Sequence, residues 1–199
     1  SPPPIYYHYG DLLPKEQAAT QLQLDSNIPY LLFFGFIRSY KGLDLLLEAL
    51  ADKRLKTWNA KLIVAGEFYE DSKSYMDTIE RLQLQDRVIL HTSFIPNNEV
   101  NLFFSVADLI VQPYKTATQS GVTQIAYHFE KPMLVTNVGG LAEIVPHHKA
   151  GYVAEPNAIA IADALVEFYQ NPSTFAEGIK AEKQKYAWDK LTRAMLDNK

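Results

Sequence analysis

The stretch Tyr30-Leu31-Leu32-Phe33-Phe34-Gly35-Phe36-Ile37-Arg38-Ser39-Tyr40-Lys41-Gly42-Leu43-Asp44-Leu45-Leu46-Leu47-Glu48-Ala49-Leu50 decides how the rest of the chain is read. From Tyr30 to Ile37 it is apolar without alternation, the pattern of a strand covered on both faces of a parallel sheet. Beyond Gly42 the period changes: Leu43, Leu46, Leu47 and Leu50 fall at i, i+3, i+4 and i+7 and line one face of a helix. The turn between holds Gly35, Arg38, Lys41 and Gly42. A strand that runs through a short turn into an amphipathic helix is the first half of a βαβ unit.

The same alternation continues in both directions. Further strand-like runs are Lys61 to Ala65, Arg87 to His91, Leu109 to Gln112, Pro132 to Thr136 and Gly151 to Ala154. Helical spacing returns in Val122, Ile125, Ala126 and Phe129, and again in Ala158, Ile161, Ala162, Leu165, Phe168 and Tyr169. Strands alternating with helices require right-handed crossovers, which predicts an α/β fold: a Rossmann-like, doubly wound, parallel six-stranded sheet with helices on both faces. Helix stop signals are weak, because the chain has only 9 glycines. The reading divides the chain into a connector with a short helix (1–28), the sheet domain (29–170) and a C-terminal helical appendage (171–199). Asn171-Pro172-Ser173 marks the second boundary, and no strand pattern follows it. In the appendage Lys180, Lys183 and Lys185, interleaved with Glu177 and Glu182, read as a solvated helix face.

Composition narrows the function. The 199 residues are 47% hydrophobic, 21% charged and 12% aromatic, which suits one globular domain and excludes global disorder. With no cysteine there is no disulfide framework, thiolate metal site or cysteine nucleophile. A net charge of −4 argues against a nucleic-acid partner, since phosphate-backbone binding needs clustered Lys and Arg. No run approaches the roughly 20 apolar residues of a membrane span. The opening Ser1-Pro2-Pro3-Pro4 has no signal-peptide pattern and reads as an extended connector, expected to have been cut from something longer.

Open α/β sheets bind ligands at the carboxyl ends of their strands, so the informative residues follow the apolar runs. After the first run, Arg38 can chelate two phosphate oxygens, Lys41 adds a point charge and Gly42 permits close backbone approach, although cations solvated on a loop give the same pattern. The turn is neither a Walker loop nor a G-x-G-x-x-G fingerprint. After the fourth run, Thr118 or Ser120 is placed to cap the next helix. The amides of Gly121, Val122 and Thr123 then point out of its positive end, a natural anion site and equally a plain capping turn. After the fifth run, Gly139-Gly140 lets the chain pass near a ligand with Glu143 close behind, unless it is an ordinary turn. Two anion-binding sites among three strand ends favour a phosphate-bearing ligand.

Taken in order, Phe34-Gly35, Lys41-Gly42, Ala65-Gly66-Glu67, Ala107-Asp108-Leu109, Pro113, Lys131-Pro132, Val138-Gly139-Gly140 and Glu143 resemble the donor-binding, C-terminal half of group 1 (family 4) retaining glycosyltransferases of the GT-B fold. The resemblance runs from about Pro3 to Leu196, and Tyr186-Ala187-Trp188-Asp189 resembles the segment that opens the family's last helix. It implies a nucleotide-diphosphate sugar, such as a UDP- or GDP-sugar, lying along the strand ends. Arg38 and Lys41 would be the catalytic groups that neutralise the diphosphate. Gly35, Thr118, Gln119, Ser120, Gly121, Val122, Gly139, Gly140 and Glu143 would line the donor. Phe94 and Ile95, in Ser93-Phe94-Ile95-Pro96, correspond to the base-contacting stretch, and Gly66-Glu67 to the ribose and phosphate side. As the glycosidic bond breaks, charge grows on the leaving diphosphate, and groups aimed there stabilise the transition state above the ground state. No cofactor and no metal are expected, nor is a protein nucleophile named. The resemblance further implies a hexosyl transfer to a glycan or glycolipid, as in polysaccharide biosynthesis. It places the acceptor site on the protein's own N-terminal domain, without which the chain is expected to be inactive. It also implies a cytoplasmic protein, with peripheral attachment to the inner membrane face left open for a longer form.

Two positions depart from that pattern. Phe36 stands where the family usually has arginine, with Arg38 two places on. The family's two glutamates in this region fall at Ala117 and Ile125, neither acidic, which leaves Thr118, Gln119 and Gln124 as polar substitutes. A catalytically degenerate interaction or regulatory domain is therefore the alternative expectation, and a sugar-nucleotide epimerase half a weaker one. His147-His148 lacks the third ligand a metal needs and reads as loop surface; Glu67, Glu70 and Asp71 read as solvated carboxylates. Tyr6, Tyr7, His8 and Tyr9 read as residues that tether the connector.

Overall fold

The computed structural model describes residues 9–117 and 120–197, so Ser1 to His8, with the opening prolines and Tyr6 and Tyr7, lie outside the described residues. Six strands form one sheet: β1 (Tyr30–Phe34), β2 (Lys61–Ala65), β3 (Val88–His91), β4 (Leu109–Gln112), β5 (Met133–Thr136) and β6 (Gly151–Ala154). All pairings are parallel and the order is β3-β2-β1-β4-β5-β6. The order reverses between β1 and β4, the place where a doubly wound sheet opens its crevice.

The uninterrupted apolar runs follow from two-sided burial. Along β1, Leu31 and Phe33 enter one apolar cluster while Tyr30 and Leu32 enter the other. The first cluster is closed by α2 (Leu43–Leu50), α3 (Lys73–Arg81) and α7 (Ala158–Gln170). The second is closed by α1 (Lys15–Leu22), α4 (Val100–Val106), α5 (Gly121–His128) and the first turns of α8 (Ala176–Leu196). Burying each such Leu or Phe side chain contributes about 1.5–3 kcal/mol, so both faces hold the sheet. The amino ends of the strands are pinned separately: Asp108 accepts from Tyr30 N and from Lys15 Nζ, each at 2.8 Å.

Helix ends explain the scarcity of stop signals. α1, α3 and α5 each finish in a Schellman motif with left-handed Gln23 (φ 58°), Gln83 (φ 55°) and Glu130 (φ 53°) in the place usually given to glycine. The paired bonds are present in all three, for example Leu84 N to Ile79 O at 2.9 Å and Gln83 N to Glu80 O at 3.0 Å. At its other end α7 is capped by Asn157, whose side chain accepts from Ala160 N at 2.8 Å.

A short α6 (Leu141–Ile144) follows β5. α8 lies against α5 through buried Ile179 and a Tyr127–Tyr186 ring contact at 5.6 Å. The expected solvated face holds only in part, since Glu182 is buried and Lys183 donates to His128 O at 3.1 Å. Side chains of Ala187, Trp188 and Asp189 lie outside the described residues. No helix among the described residues is long and apolar enough to cross a membrane.

Candidate functional site

At the β1–β4 crevice three loops are stitched together. The loop after β1 meets the loop after β2 through Ile37 N to Glu67 O (2.9 Å), Tyr69 N to Ile37 O (3.1 Å) and Ser39 N to the Glu70 carboxylate (2.7 Å). It meets the loop after β4 through Lys115 N to Tyr40 O at 2.7 Å. Glu70 and Asp71 are exposed loop carboxylates, as expected, and each also accepts a backbone amide, Asp71 from Lys73 N at 2.9 Å.

Lys41 ends a 3₁₀ turn, Ser39–Lys41, and folds back beneath Gly35. A Cβ on Gly35 would lie 3.0 Å from Lys41 Nζ and 3.9 Å from Val122 Cγ2, so the glycine, the ammonium and the start of α5 converge. The ammonium stands 6.0 Å from the centre of the buried Tyr114 ring. Arg38 approaches the same region with its guanidinium Cζ 3.7 Å from the Tyr69 ring centre. Among the described residues neither cation has a carboxylate within 4.0 Å, whereas neighbouring Lys115 is paired with Asp44 at 2.8 Å. Burial, and secondarily the charge of Arg38, push the Lys41 ammonium below its ordinary pKa. Two cations held near each other without an anion form a site complementary to one.

α5 supplies the other wall. Ser120 has the extended backbone of an N-cap, but its side chain makes no capping bond. The hydroxyl instead turns inward and donates to Gln112 Oε1 at 2.5 Å, where Thr123 Oγ1 also donates at 3.1 Å. Gln112, 1% exposed at the end of β4, is the anchor of that arrangement. Of the two expected caps, Ser120 does not serve, because a buried amide outcompetes the helix amides for its hydroxyl, and Thr118 lies outside the described residues. Without a cap from Ser120, the amides of Gly121, Val122 and Thr123 have no acceptor among the described residues. A hypothetical Cβ on Gly121 meets nothing within 4 Å among the described residues. Tyr114 links the two walls, with its hydroxyl 3.5 Å from Ser120 Oγ and its carbonyl accepting from Thr136 Oγ1 at 2.5 Å. Burial raises the pKa of that phenol.

The remaining predicted residues surround this centre. Gly66 sits so close to the β1 turn that a Cβ would fall 1.9 Å from Gly35 O, and Glu67 contributes its backbone carbonyl to Ile37. Gly139, at φ 53°, packs under the Ala117 carbonyl at 2.0 Å from an ideal Cβ, which brings the double glycine against the loop after β4. A Cβ on Gly140 would meet nothing within 4 Å among the described residues, and Glu143 is exposed in the first turn of α6. Phe94 is 71% exposed on the loop after β3, two strands from β1, while Ile95 packs against the second apolar cluster. Thr118 and Gln119 lie outside the described residues. Tyr114 and Tyr69 were not legible as site residues in the sequence, where aromatic side chains read equally as core; Gln112, a polar group closing an apolar strand, was the one available signal.

The histidine pair is exposed, as expected: His147 Nδ1 accepts from Val153 N at 2.9 Å and His148 lies 2.5 Å from Glu167. No cluster of three or more metal-ligating side chains occurs among the described residues.

Known proteins share this fold. An uncharacterised glycosyltransferase of Methanocaldococcus jannaschii is 28% identical over 173 residues, 84% of this chain and 43% of that protein. The chain spans about half the length or less of the first curated relatives it matches. Among solved structures, the C-terminal domain of a group 1 glycosyl transferase from Francisella tularensis superposes with a TM-score of 0.71 at 19% identity, covering 90% of this chain and 94% of that one. Anabaena HepE, solved with UDP and glucose, superposes at 0.74 with 18% identity, covering 98% of this chain and 55% of that one. At such identities the structures show the fold, one Rossmann-like half of the GT-B architecture. The profile described as glycosyl transferases group 1 matches residues 14–186, and the chain belongs to that family.

Proposed function

We propose that this chain binds the nucleotide diphosphate of a sugar donor and stabilises it as the leaving group of a retaining, metal-independent glycosyl transfer. One observation carries the reading: Lys41 Nζ is packed against Gly35 and the start of α5 and, among the described residues, has no carboxylate partner, beside three helix amides for which the described residues supply no acceptor. An oxyanion there would receive the ammonium, the amides of residues 121–123 and the Arg38 guanidinium together. Charge that grows on the diphosphate as the sugar departs is met by groups already in place, so the rate gain needs no rearrangement. HepE, solved with UDP and glucose, has the same fold, which supports a UDP-type donor. Acceptor groups are assigned in this reading to a second, N-terminal domain outside these 199 residues, so the chain alone is expected to bind nucleotide and transfer little sugar to a glycan or glycolipid.

The test is calorimetric titration with UDP, GDP and ADP, with and without magnesium, against the chain and its Lys41→Ala variant. Binding of at least one diphosphate that falls at least tenfold in the variant and is indifferent to magnesium is the expected result. No binding, or binding that depends on magnesium and ignores Lys41, overturns it. A second reading, an interaction domain that has lost the donor site, is favoured by one observation: Ile125 is buried in the apolar cluster and Ala117 bears no carboxylate. Failure of every nucleotide to bind would favour it.

A further inference from the structure

Arg38 does not stand free at the mouth of the crevice. Its guanidinium lies over Tyr69, with Cζ 3.7 Å from the ring centre, and Phe36 meets the same ring edge-on at 6.0 Å and 70°. Tyr69 is 63% exposed and Phe36 51%, so neither is there to fill the core. The platform is rigidly attached: Tyr69 N donates to the carbonyl of Ile37, the residue directly before Arg38, and Ile37 N donates back to Glu67 O. Among the described residues no hydrogen-bond acceptor or carboxylate holds the guanidinium itself.

A guanidinium stacked on an aromatic face is attracted through that face and keeps its N–H donors in the plane, where a phosphate can take them in pairs. The stack also removes rotamer freedom from a long side chain before any ligand arrives, so less is lost on binding. We infer that Tyr69 is a positioning residue: it holds the Arg38 guanidinium ready for the donor phosphates from the loop after β2. The inference rests on the diphosphate reading above.

The experiment compares Tyr69→Phe, Tyr69→Ala, Arg38→Ala and the double variant Tyr69→Ala/Arg38→Ala with the parent chain. Affinity for the diphosphate that binds tightest, and for its nucleoside, is measured by calorimetry. The Arg38 Nε–Hε resonance of the free chain is followed by NMR. Tyr69→Ala is expected to weaken the diphosphate about three- to fivefold while leaving the nucleoside unchanged, Tyr69→Phe to stay within about twofold, and Tyr69→Ala to add under about twofold in the Arg38→Ala background. In the free chain the ring-current shift of the Arg38 resonance should vanish in Tyr69→Ala and persist in Tyr69→Phe. Equal weakening of nucleoside and diphosphate, undiminished weakening without Arg38, or an unmoved resonance overturns the inference. If the parent chain binds diphosphate through Lys41 yet ignores Tyr69→Ala, only this inference falls; if it binds none, the diphosphate reading falls and takes the inference with it.

Discussion

Adjacent glycines after β5 should respond in opposite ways to the same substitution. In Gly139→Ala the new methyl would sit 2.0 Å from the Ala117 carbonyl oxygen, against the 3.0 Å below which real Cβ contacts essentially never fall, so two loop backbones must separate by about 1 Å. The left-handed φ of 53° adds about 1–2 kcal/mol for a residue with a side chain. Forcing packed backbones apart costs about 1–3 kcal/mol more. Stiffening of the unfolded chain returns about 0.4–1 kcal/mol, which leaves a net loss of about 2–4 kcal/mol. For a chain of this size that lowers the melting temperature by about 5–15 °C. Gly140→Ala meets nothing within 4 Å among the described residues at a φ of −95°, so it should stay within about 0.5 kcal/mol of the parent or gain slightly. Urea and thermal melts followed by circular dichroism measure both. Because the displaced carbonyl belongs to the loop before α5, Gly139→Ala should also weaken diphosphate binding. Equal melting of the two variants, or a Gly139→Ala melt within about 1 °C of the parent, would refute the steric reasoning.

Other substitutions follow from the helix ends and the buried polar groups. Gln23→Gly, Gln83→Gly and Glu130→Gly each relieve a left-handed side chain in a Schellman motif and should raise the urea midpoint by the equivalent of about 0.5–1 kcal/mol apiece, roughly additively. Gln112→Leu strips the acceptor from the Ser120 and Thr123 hydroxyls and should destabilise by about 2–4 kcal/mol, a loss that urea melts should find reduced when Ser120→Ala is added. Burial holds the imidazoles of His91, His128 and His147 below their ordinary value, so the unfolded chain binds more protons as pH drops below about 6.5. Stability should therefore climb with pH through that window and level off above it, with His91→Gln flattening part of the slope in urea melts taken at successive pH values; an unchanged slope would clear His91 of the effect.

The strands were legible because two-sided burial writes itself as an unbroken apolar run, and all six appear within a few residues of their expected ends. The largest discrepancy is instructive: β1 stops at Phe34 because Gly35 turns at φ 111°, and Ile37 rejoins only as an isolated bridge to Phe68. α3 escaped the periodicity argument since only Tyr75 and Ile79 of its residues are buried, too narrow a stripe to stand out. α4, with valine at both ends and two phenylalanines between them, reads locally as well as a strand. At the site, the placement of Gly35, Lys41 and the start of α5 followed from the rule of strand ends, yet the direction of the Ser120 hydroxyl did not. A serine at an N-cap can face the helix or the sheet, and only the fold reveals that Gln112 waits beneath it.

That inward hydroxyl gives the first turn of α5 an unfinished chemistry. Helix amides at this position are commonly met by a capping side chain, whereas here the Ser120 hydroxyl goes to the sheet, and in the diphosphate reading an oxyanion would meet the amides instead. An occupant would then be building material as well as cargo: its arrival would slow hydrogen exchange at residues 121–123, and its departure would loosen them again. Sulfate or phosphate alone should produce a weak version of the same protection, so the order of this helix end would report, amide by amide, on whether the crevice is filled.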